Sequence, residues 1–412
     1  MNGDKKIPEL NNFNNYSRTK GMFKTVEPVR FQFIGGLDNP AKSLIYYSPI
    51  AGWNAYDQMM LGMAFYNHLA IKKPFEYTLA PIYSFGRKTL TGLANFEYSV
   101  HPENTFKNIS IGVNGSTFGT QNSTELQSNF KKIAPYISAE FKPKNARTSA
   151  KKSLVTKLHL VQNEYSGELF KLHENILVSS TTFRLVSKQI LKPKSLEFNY
   201  QYGQLDNIYS NGDFSRVSIT GKYRHNYDKK LNGIEFRVFA GTYLFNNTKD
   251  SRFRFYEGGD IGASDVTYNN IFLGRNEEHP NLLNQQMVFN QSGLRTLSPY
   301  SSNTWLAGFN TDFDIPLMLP FDLYFDASFF PYSLTSCNQN GCITTNKINV
   351  SYVGGLSFTV IKDVFEIYVP LVVNKDLKDI YEYQNINFLQ RIRFTFHINQ
   401  LNPFKLIEKN IN

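Results

Sequence analysis

Residues 194–202 read Lys-Ser-Leu-Glu-Phe-Asn-Tyr-Gln-Tyr, and two faces are already separated in them. Leu196, Phe198, Tyr200 and Tyr202 alternate with Glu197, Asn199 and Gln201. A β-strand sends successive side chains to opposite sides, so period-two alternation builds one apolar and one polar face. After a turn at 205–212, Val217, Ile219, Gly221 and Tyr223 alternate with Arg216, Ser218, Thr220, Lys222 and Arg224. A second turn at 227–233 leads to Ile234, Phe236, Val238 and Ala240, set against Glu235, Arg237, Phe239 and Gly241. Three long strands in series with this pattern suit a sheet that has hydrocarbon outside and water or a polar plug inside. The expected fold is all-β: a transmembrane up-and-down antiparallel β-barrel.

The totals agree. Aromatic residues make up 15% of 412, with 35 Phe and 25 Tyr, and a barrel uses aromatics both on its lipid face and in its interfacial girdles. Mean hydropathy is −0.36 and no apolar run approaches the ~18 residues of a membrane helix, which excludes a helical membrane protein. The net charge of +10 is spread strand by strand and forms no basic patch, so nucleic acid is not an expected partner. Outer-membrane lipid and the barrel-assembly machinery are. Met1 to Lys24 is polar and has no apolar signal core, so the expectation is either a fragment of something longer or a wrongly assigned start.

Further strands are expected near 43–50, 57–68, 75–86, 89–100, 106–116, 129–142, 153–163 and 179–191, ahead of the opening trio. Others follow near 303–315, 319–332, 347–360, 363–373 and 389–398. That makes about 16, or 14 if an early segment belongs to a plug. Connections at 143–152, 192–194, 227–232, 316–319 and 361–362 read as short, and those at 166–179, 247–302, 333–346 and 374–388 as long. Short turns are periplasmic in such barrels, which places both termini in the periplasm. The expected layout is a flexible lead over 1–28, a barrel over 29–400 and a periplasmic tail over 401–412. Pro81, Pro135 and Pro370 fall inside proposed strands, where each removes a ladder hydrogen bond and asks for a bulge. The segment 247–302 is too long for a simple loop and is expected to fold over or into the mouth and restrict the lumen.

Chemistry is sparse. No zinc-binding His-Glu-x-x-His, Walker loop, dinucleotide fingerprint or Gly-x-Ser-x-Gly elbow occurs, so no cofactor, metal or catalytic set is expected. Cys337 and Cys342 suit a small disulfide across a turn. A barrel-embedded hydrolase would have to draw on His159 or His225, with Ser218 or Asp213 nearby. The inward positions carry Lys157, His159, Arg184, Arg216, Lys222, Arg224, Arg237 and Arg393 against Glu235, Asp322 and Asp326, among others. Both signs in quantity imply a cross-strand charge network that braces the lumen, whereas an ion-selective pore carries a ring of one sign. Ile392, Phe394, Phe396 and Ile398 alternate with Arg393, Thr395 and His397, and are expected to serve as the membrane-insertion strand.

Several stretches resemble a family. Leu44-Ile-Tyr-Tyr-Ser-Pro-Ile50, Trp53-Asn-Ala-Tyr-Asp57, Tyr77-Thr-Leu-Ala-Pro-Ile-Tyr-Ser-Phe-Gly86, Phe272-Leu-Gly-Arg-Asn-Glu277 and Arg391-Ile-Arg-Phe-Thr-Phe396 occur in that order. Together they look like the C-terminal barrel of Bacteroidota proteins of the aminopeptidase N-like zinc metallopeptidase family. The resemblance implies a barrel that anchors or displays a zinc peptidase module. The zinc motif of that module is absent here, so no catalytic residue carries over. A solute or peptide channel is the alternative expectation.

Overall fold

A computed structural model describes residues 29–35, 43–68, 73–123, 125–143, 145, 148–206, 211–228, 231–275, 282–316, 321–338, 341–361 and 364–397, with the side chains of 333–346 excepted. In chain order the strands are β1 Val29–Phe33, β2 Ser43–Asn54, β3 Gln58–Tyr66, β4 Phe75–Ser84, β5 Thr89–Val100, β6 Phe106–Asn122 and β7 Gln127–Phe141. Then come β8 Ala150–Ser166, β9 Lys171–Ser187, β10 Lys194–Asp206, β11 Asn211–Asn226 and β12 Gly233–Asn246. Four two-residue strands follow: β13 Phe255–Tyr256, β14 Asp260–Ile261, β15 Met287–Val288 and β16 Ser301–Ser302. The wall resumes with β17 Trp305–Phe313, β18 Asp322–Asn338, β19 Gly341–Ile361 and β20 Phe365–Val373, and ends in β21 Arg393–Phe396 after helices α1 Lys375–Tyr383 and α2 Phe388–Arg391.

The wall is a single 17-stranded sheet. From β2 onward its members pair antiparallel with their sequence neighbours, β12 pairing β17 across the insert, and β1 alone lies parallel, against β2. The sixteen antiparallel strands match the sixteen read from alternation, and the fold is the expected up-and-down barrel. No helix of the described residues is long and apolar enough to cross a membrane.

Alternation sorts the faces as the sequence implied. Phe198 and Val238 are 45% and 52% exposed on the outer surface, while Arg237 and Asp326 are 3% and 0% exposed inside. The prolines sit where the ladder is interrupted. Pro370 adjoins the register shift between Gly354 and Gly355, and the β7–β8 ladder steps from Ile133–Leu160 to Tyr136–Lys157 around Pro135. The β3–β4 ladder likewise steps from Gly62–Ile82 to Phe65–Leu79 beside Pro81. On its other side Pro81 faces Gly92, whose φ of +146° only glycine adopts readily.

Three expectations are corrected. The long loops at 166–179 and 333–346 are mostly strand: β8 runs to Ser166 and β9 starts at Lys171, while β18 and β19 stay paired out to Asn338 and Gly341. The backbone ladders continue through both segments, β8 pairing β9 out to Ser166 and Lys171, although their side-chain composition reads as loop. The final strand is also shorter than 389–398. Asn387 caps α2 reciprocally with Gln390, a capping box that turns 388–391 helical and leaves Ile392 as the helix C-cap. Phe394 and Phe396 do lie on β21, whereas Ile398 falls outside the described residues. The expected lead over 1–28 and tail over 401–412 fall outside them too. Cys337 pairs Cys342 in the β18–β19 register, and their side chains lie outside the described set.

Among the described residues no ladder joins β21 to β1 or β2. The insert supplies backbone there. Ala55 N–H donates to the Leu273 carbonyl at 2.8 Å, Phe394 N–H donates to the Gln285 carbonyl at 3.3 Å, and Gln286 bridges Phe394.

Candidate functional site: the plugged lumen

The segment 247–304 between β12 and β17 folds inward as two nested hairpins, β13 against β16 and β14 against β15. Its centre is Arg295, which is 2% exposed. The guanidinium donates from Nε and Nη2 to the Asp326 carboxylate at 3.0 and 2.6 Å, from Nη1 to Asp312, and from Nη2 to the Thr311 carbonyl at 3.2 Å. Its backbone N–H also donates to Asp326 at 2.9 Å, and Tyr324 Oη returns a bond to the Arg295 carbonyl at 3.1 Å. The rings of Tyr324, Phe289 and Tyr368 lie 4.2, 5.0 and 5.2 Å from the guanidinium carbon. Burial alone would lower the Arg295 pKa, but the Asp312 and Asp326 carboxylates reverse that and hold it well above the usual arginine range. An ion pair this deep costs desolvation and repays it only when each lone pair and N–H is used. Here nearly all are.

Close approach makes this docking possible. A Cβ on Gly308 of β17 would meet the Ser292 Cα at 2.6 Å, so only glycine lets the wall touch the insert backbone. Beside it Asn310 donates to the Ser292 and Gly293 carbonyls at 3.0 and 3.2 Å, and Arg237 donates to Asn310 at 2.8 Å.

Further contacts tie the insert to the rest of the wall. Arg252 grips Glu174 of β9 through both nitrogens, at 2.9 and 2.5 Å. Lys132 of β7 donates to Asn269 at 2.7 Å and to the Tyr268 carbonyl at 3.0 Å, while Phe130 stacks on Tyr268 with centroids 3.9 Å apart. Tyr381 of α1 donates to the Leu297 carbonyl at 2.6 Å. Arg275 N–H donates to Tyr56 Oη at 2.5 Å. Tyr56 belongs to the turn around Asp57, which is fully buried and accepts from Arg87 Nε at 2.8 Å and Gly119 N–H at 2.7 Å. Burial pushes the Asp57 carboxyl up, but hydrogen bonds from Asn54 and Gly119 and the Arg87 charge outweigh it and leave the pKa lowered.

Glu257, also fully buried in the insert, accepts from Ser298 at 2.6 Å and faces Ser328 and Ser351 of the wall. Burial with no cation beside it raises its pKa to about 7 against the hydroxyl hydrogen bonds.

The charged residues singled out in the sequence are distributed as follows. Arg184 and Glu197 pair across β9 and β10 at 2.5 Å. Arg224 pairs with Asp314 and lies 3.9 Å from Glu235. Asp326 pairs with Arg295, a residue that sequence reasoning passed over. Arg393 donates to the Asn284 carbonyl of the insert at 2.9 Å, and Asp322 accepts from Ile315 N–H at 3.0 Å. Lys157 lies over the Tyr136 ring. Arg216 donates to Gln201 and Tyr243, and Lys222 lines the lumen below with Glu235. His159 is buried beside Ser180, 3.4 Å away. His225 stands three strands away on β11, so the two histidines do not converge. No group of three or more metal-ligating side chains occurs among the described residues.

Between the insert and the wall strands β9 to β12 a polar cavity of about 440 Å³ remains.

No family model matches the sequence, and no curated protein matches it. Among solved structures, the fold is similar to CdiB from Acinetobacter baumannii, with a TM-score of 0.39 and 10% identity over 82% of this chain and 60% of that one. It is also similar to BamA from Haemophilus ducreyi lacking POTRA domains 1–3, with a TM-score of 0.37 and 6% identity over 80% of this chain and 69% of that one. The chain thus spans less than two thirds of the length of CdiB.

Proposed function

We propose that the protein is an integral outer-membrane barrel with its lumen closed by its own insert, serving as a membrane anchor for an attached module and not as an open pore. The observation that carries the closed lumen is the Arg295 lock, in which the insert's arginine is spent on two inward carboxylates of the wall, Asp312 and Asp326. The membrane reading rests on the outer face. Exposed Leu, Ile, Phe and Val side chains recur on strand after strand, an apolar belt far larger than the few hundred Å² that water-soluble monomers leave bare. The anchoring reading is supported by direction. With sixteen antiparallel strands from β2 to β21, and β1 parallel to β2, the sheet begins and finishes at one end of the barrel, which we assign to the periplasm. A module joined through either terminus would sit on that side, and the family resemblance makes a zinc peptidase the first module to look for.

Planar-bilayer conductance tests the closed lumen, using refolded protein that shows the heat-dependent gel shift of a folded barrel. The expected result is a silent bilayer. A steady open current from folded protein would make the barrel a channel and end the anchor reading.

A further inference from the structure

Charge is unevenly spread around one rim of the barrel. Residues 141–163 and 175–196 hold ten Lys and Arg and no Asp or Glu. They span β8, β9 and the start of β10, which are neighbours in the sheet. β8 and β10 run in the sense of β2, so both begin at the end of the barrel where the sheet itself begins and finishes. There Lys151, Lys152, Lys188, Lys192 and Lys194 are all exposed. None of these lysines makes an ion pair among the described residues. The carboxylates that border them are already taken. Glu140 pairs with Lys107 at 3.0 Å, Glu197 pairs with Arg184 at 2.5 Å, and Glu235 feels Lys222 and Arg224. Asp228 of the next turn accepts from Asn232 at 2.7 Å.

Two of the lysines stand on the lipid-facing rows. Lys152 continues the row of Leu154 and Leu160, 36% and 41% exposed, and Lys194 that of Leu196 and Phe198, 42% and 45% exposed. Two residues along a strand advance it about 7 Å, so each lysine sits one step past the last apolar member of its row. A lysine stem lies along apolar surface and carries its charge out to the headgroup layer. Lys152 faces Leu185 and Lys194 faces Ser187, both on β9, so the two flank one strand and stand about 10 Å apart across the sheet. The turn between β9 and β10 adds Lys188 and Lys192, and between them Ile190 and Leu191 are 74% and 61% exposed. Neighbouring turns hold this one in place. Lys188 N–H donates to the Ser149 carbonyl at 3.5 Å, and Asn226 donates from Nδ2 to the Ile190 carbonyl at 2.6 Å and from its backbone N–H to the Leu191 carbonyl at 3.0 Å. Aliphatic side chains set among lysines are the composition that lies in the headgroup layer of a membrane. Lysines act as flexible point charges, which suits mobile headgroup phosphates; a single planar oxyanion is better matched by arginine.

We propose that this lysine rim on β8 to β10 binds anionic phospholipid of the leaflet that meets this end of the barrel, with headgroup phosphates against Lys152, Lys188, Lys192 and Lys194. The inference rests on the membrane reading given above, and not on the closed lumen or on an attached module. An acidic soluble protein is the competing occupant. The place of Lys152 and Lys194 at the edge of the apolar belt favours lipid.

The test is native mass spectrometry of refolded full-length protein in neutral detergent micelles, titrated with phosphatidylglycerol and, separately, with phosphatidylcholine. The heat-dependent gel shift is measured first, without lipid. Failure to form a folded barrel in micelles would end the membrane reading and this inference with it, whereas a folded barrel that fails the titration ends this inference alone. A lysine at an anionic surface is worth about fivefold in affinity, so the first phosphatidylglycerol should bind at least about tenfold more tightly than phosphatidylcholine. The preference should shrink as salt is raised. Lys152→Gln combined with Lys194→Gln should remove most of it. Lys131→Gln combined with Lys171→Gln, the same loss of charge at the opposite end of β7 and β9, should leave it unchanged. Equal affinity for the two lipids would overturn the proposal. So would a preference that survives the Lys152 and Lys194 pair of changes, or that falls equally in the control pair. Polyglutamate binding at these lysines without any lipid preference would give the rim to an acidic protein and overturn it as well.

Discussion

Replacing Arg295 with alanine should loosen the insert without unfolding the wall. The side chain is fully enclosed, its two carboxylate partners belong to adjacent wall strands, and three aromatic rings surround the guanidinium. Removing it strands Asp326, itself 0% exposed, with Asn310 as its remaining side-chain donor at 3.0 Å. Breaking a buried pair by deleting one partner costs about 3–5 kcal/mol, because the other charge stays desolvated. At about 1.4 kcal/mol per factor of ten, the insert should open roughly a hundred- to a few-thousandfold more often. Native-state hydrogen exchange reads this directly. The amide of Leu294, which donates to the Glu257 carbonyl at 2.7 Å, should lose protection by that factor. Amides of β8 and β9, on the far side of the sheet, should stay as protected as in the parent protein. Leu294 protection within about threefold of the parent would refute the lock. An equal loss in β8 and β9 would show instead that Arg295 holds the whole fold together.

Other expectations follow from the same contacts. The raised pKa of Glu257 means that the insert suffers no ionisation penalty below the unfolded carboxylate value and the full penalty, about 3 kcal/mol, above pH 7, so insert protection should fall between pH 5 and 8. Glu257→Gln should flatten that profile, and a parent profile flat across the same range would contradict the assignment. Gly308→Val places side-chain atoms where Ser292 already sits and should release the insert as Arg295→Ala does, measured by new protease cuts within 247–304. Asp57→Asn breaks the Arg87 pair at a buried turn and should lower the temperature of the gel-mobility shift, with a cost of about 3 kcal/mol. Phe198→Arg on the outer face should impair membrane assembly by about 2–4 kcal/mol, whereas Asn199→Arg, facing the lumen, should be tolerated; equal effects would argue against lipid outside.

The wall was legible because two physical rules act on each residue of it. Strand geometry fixes the period and the two solvents fix which set is apolar, so 194–202 announces its faces without any alignment. The errors fall where one of those rules is missing. In 166–179 the outer face no longer meets the same environment, the alternation fades, and a paired hairpin reads as loop. At 388–391 a local cap decides the structure, and Asn387 with Gln390 outweighs the strand pattern around Ile392. The insert has no period at all. Its position depends on single contacts such as Gly308 against Ser292, which only the folded register reveals.

One signal for Arg295 was nonetheless present. Inward acids crowd β17 and β18 and the turn between them, at Asp312, Asp314, Asp322 and Asp326, and the register gives Asp326 an asparagine and a valine as neighbours, Asn310 and Val353. An acid buried in a wall without a cross-strand cation must take one from elsewhere, because an unpaired carboxylate in that setting is too costly to keep. Among the described residues, the long segment that reaches it is the insert between β12 and β17, through Arg295. The same reasoning, run with the opposite sign on β9 to β12, finds Arg216 with no carboxylate across either ladder, facing Gln201 on β10 and Tyr243 on β12. On the acidic side the insert supplies the missing charge. On the basic side it brings Arg252 and Arg254 together with Asp250, Asp260 and Asp265, and the Asp260 carboxylate feels the Arg216 charge. The insert therefore meets the wall's charges on both sides of the lumen, the acids of β17 and β18 with Arg295 and the arginine of β11 with Asp260.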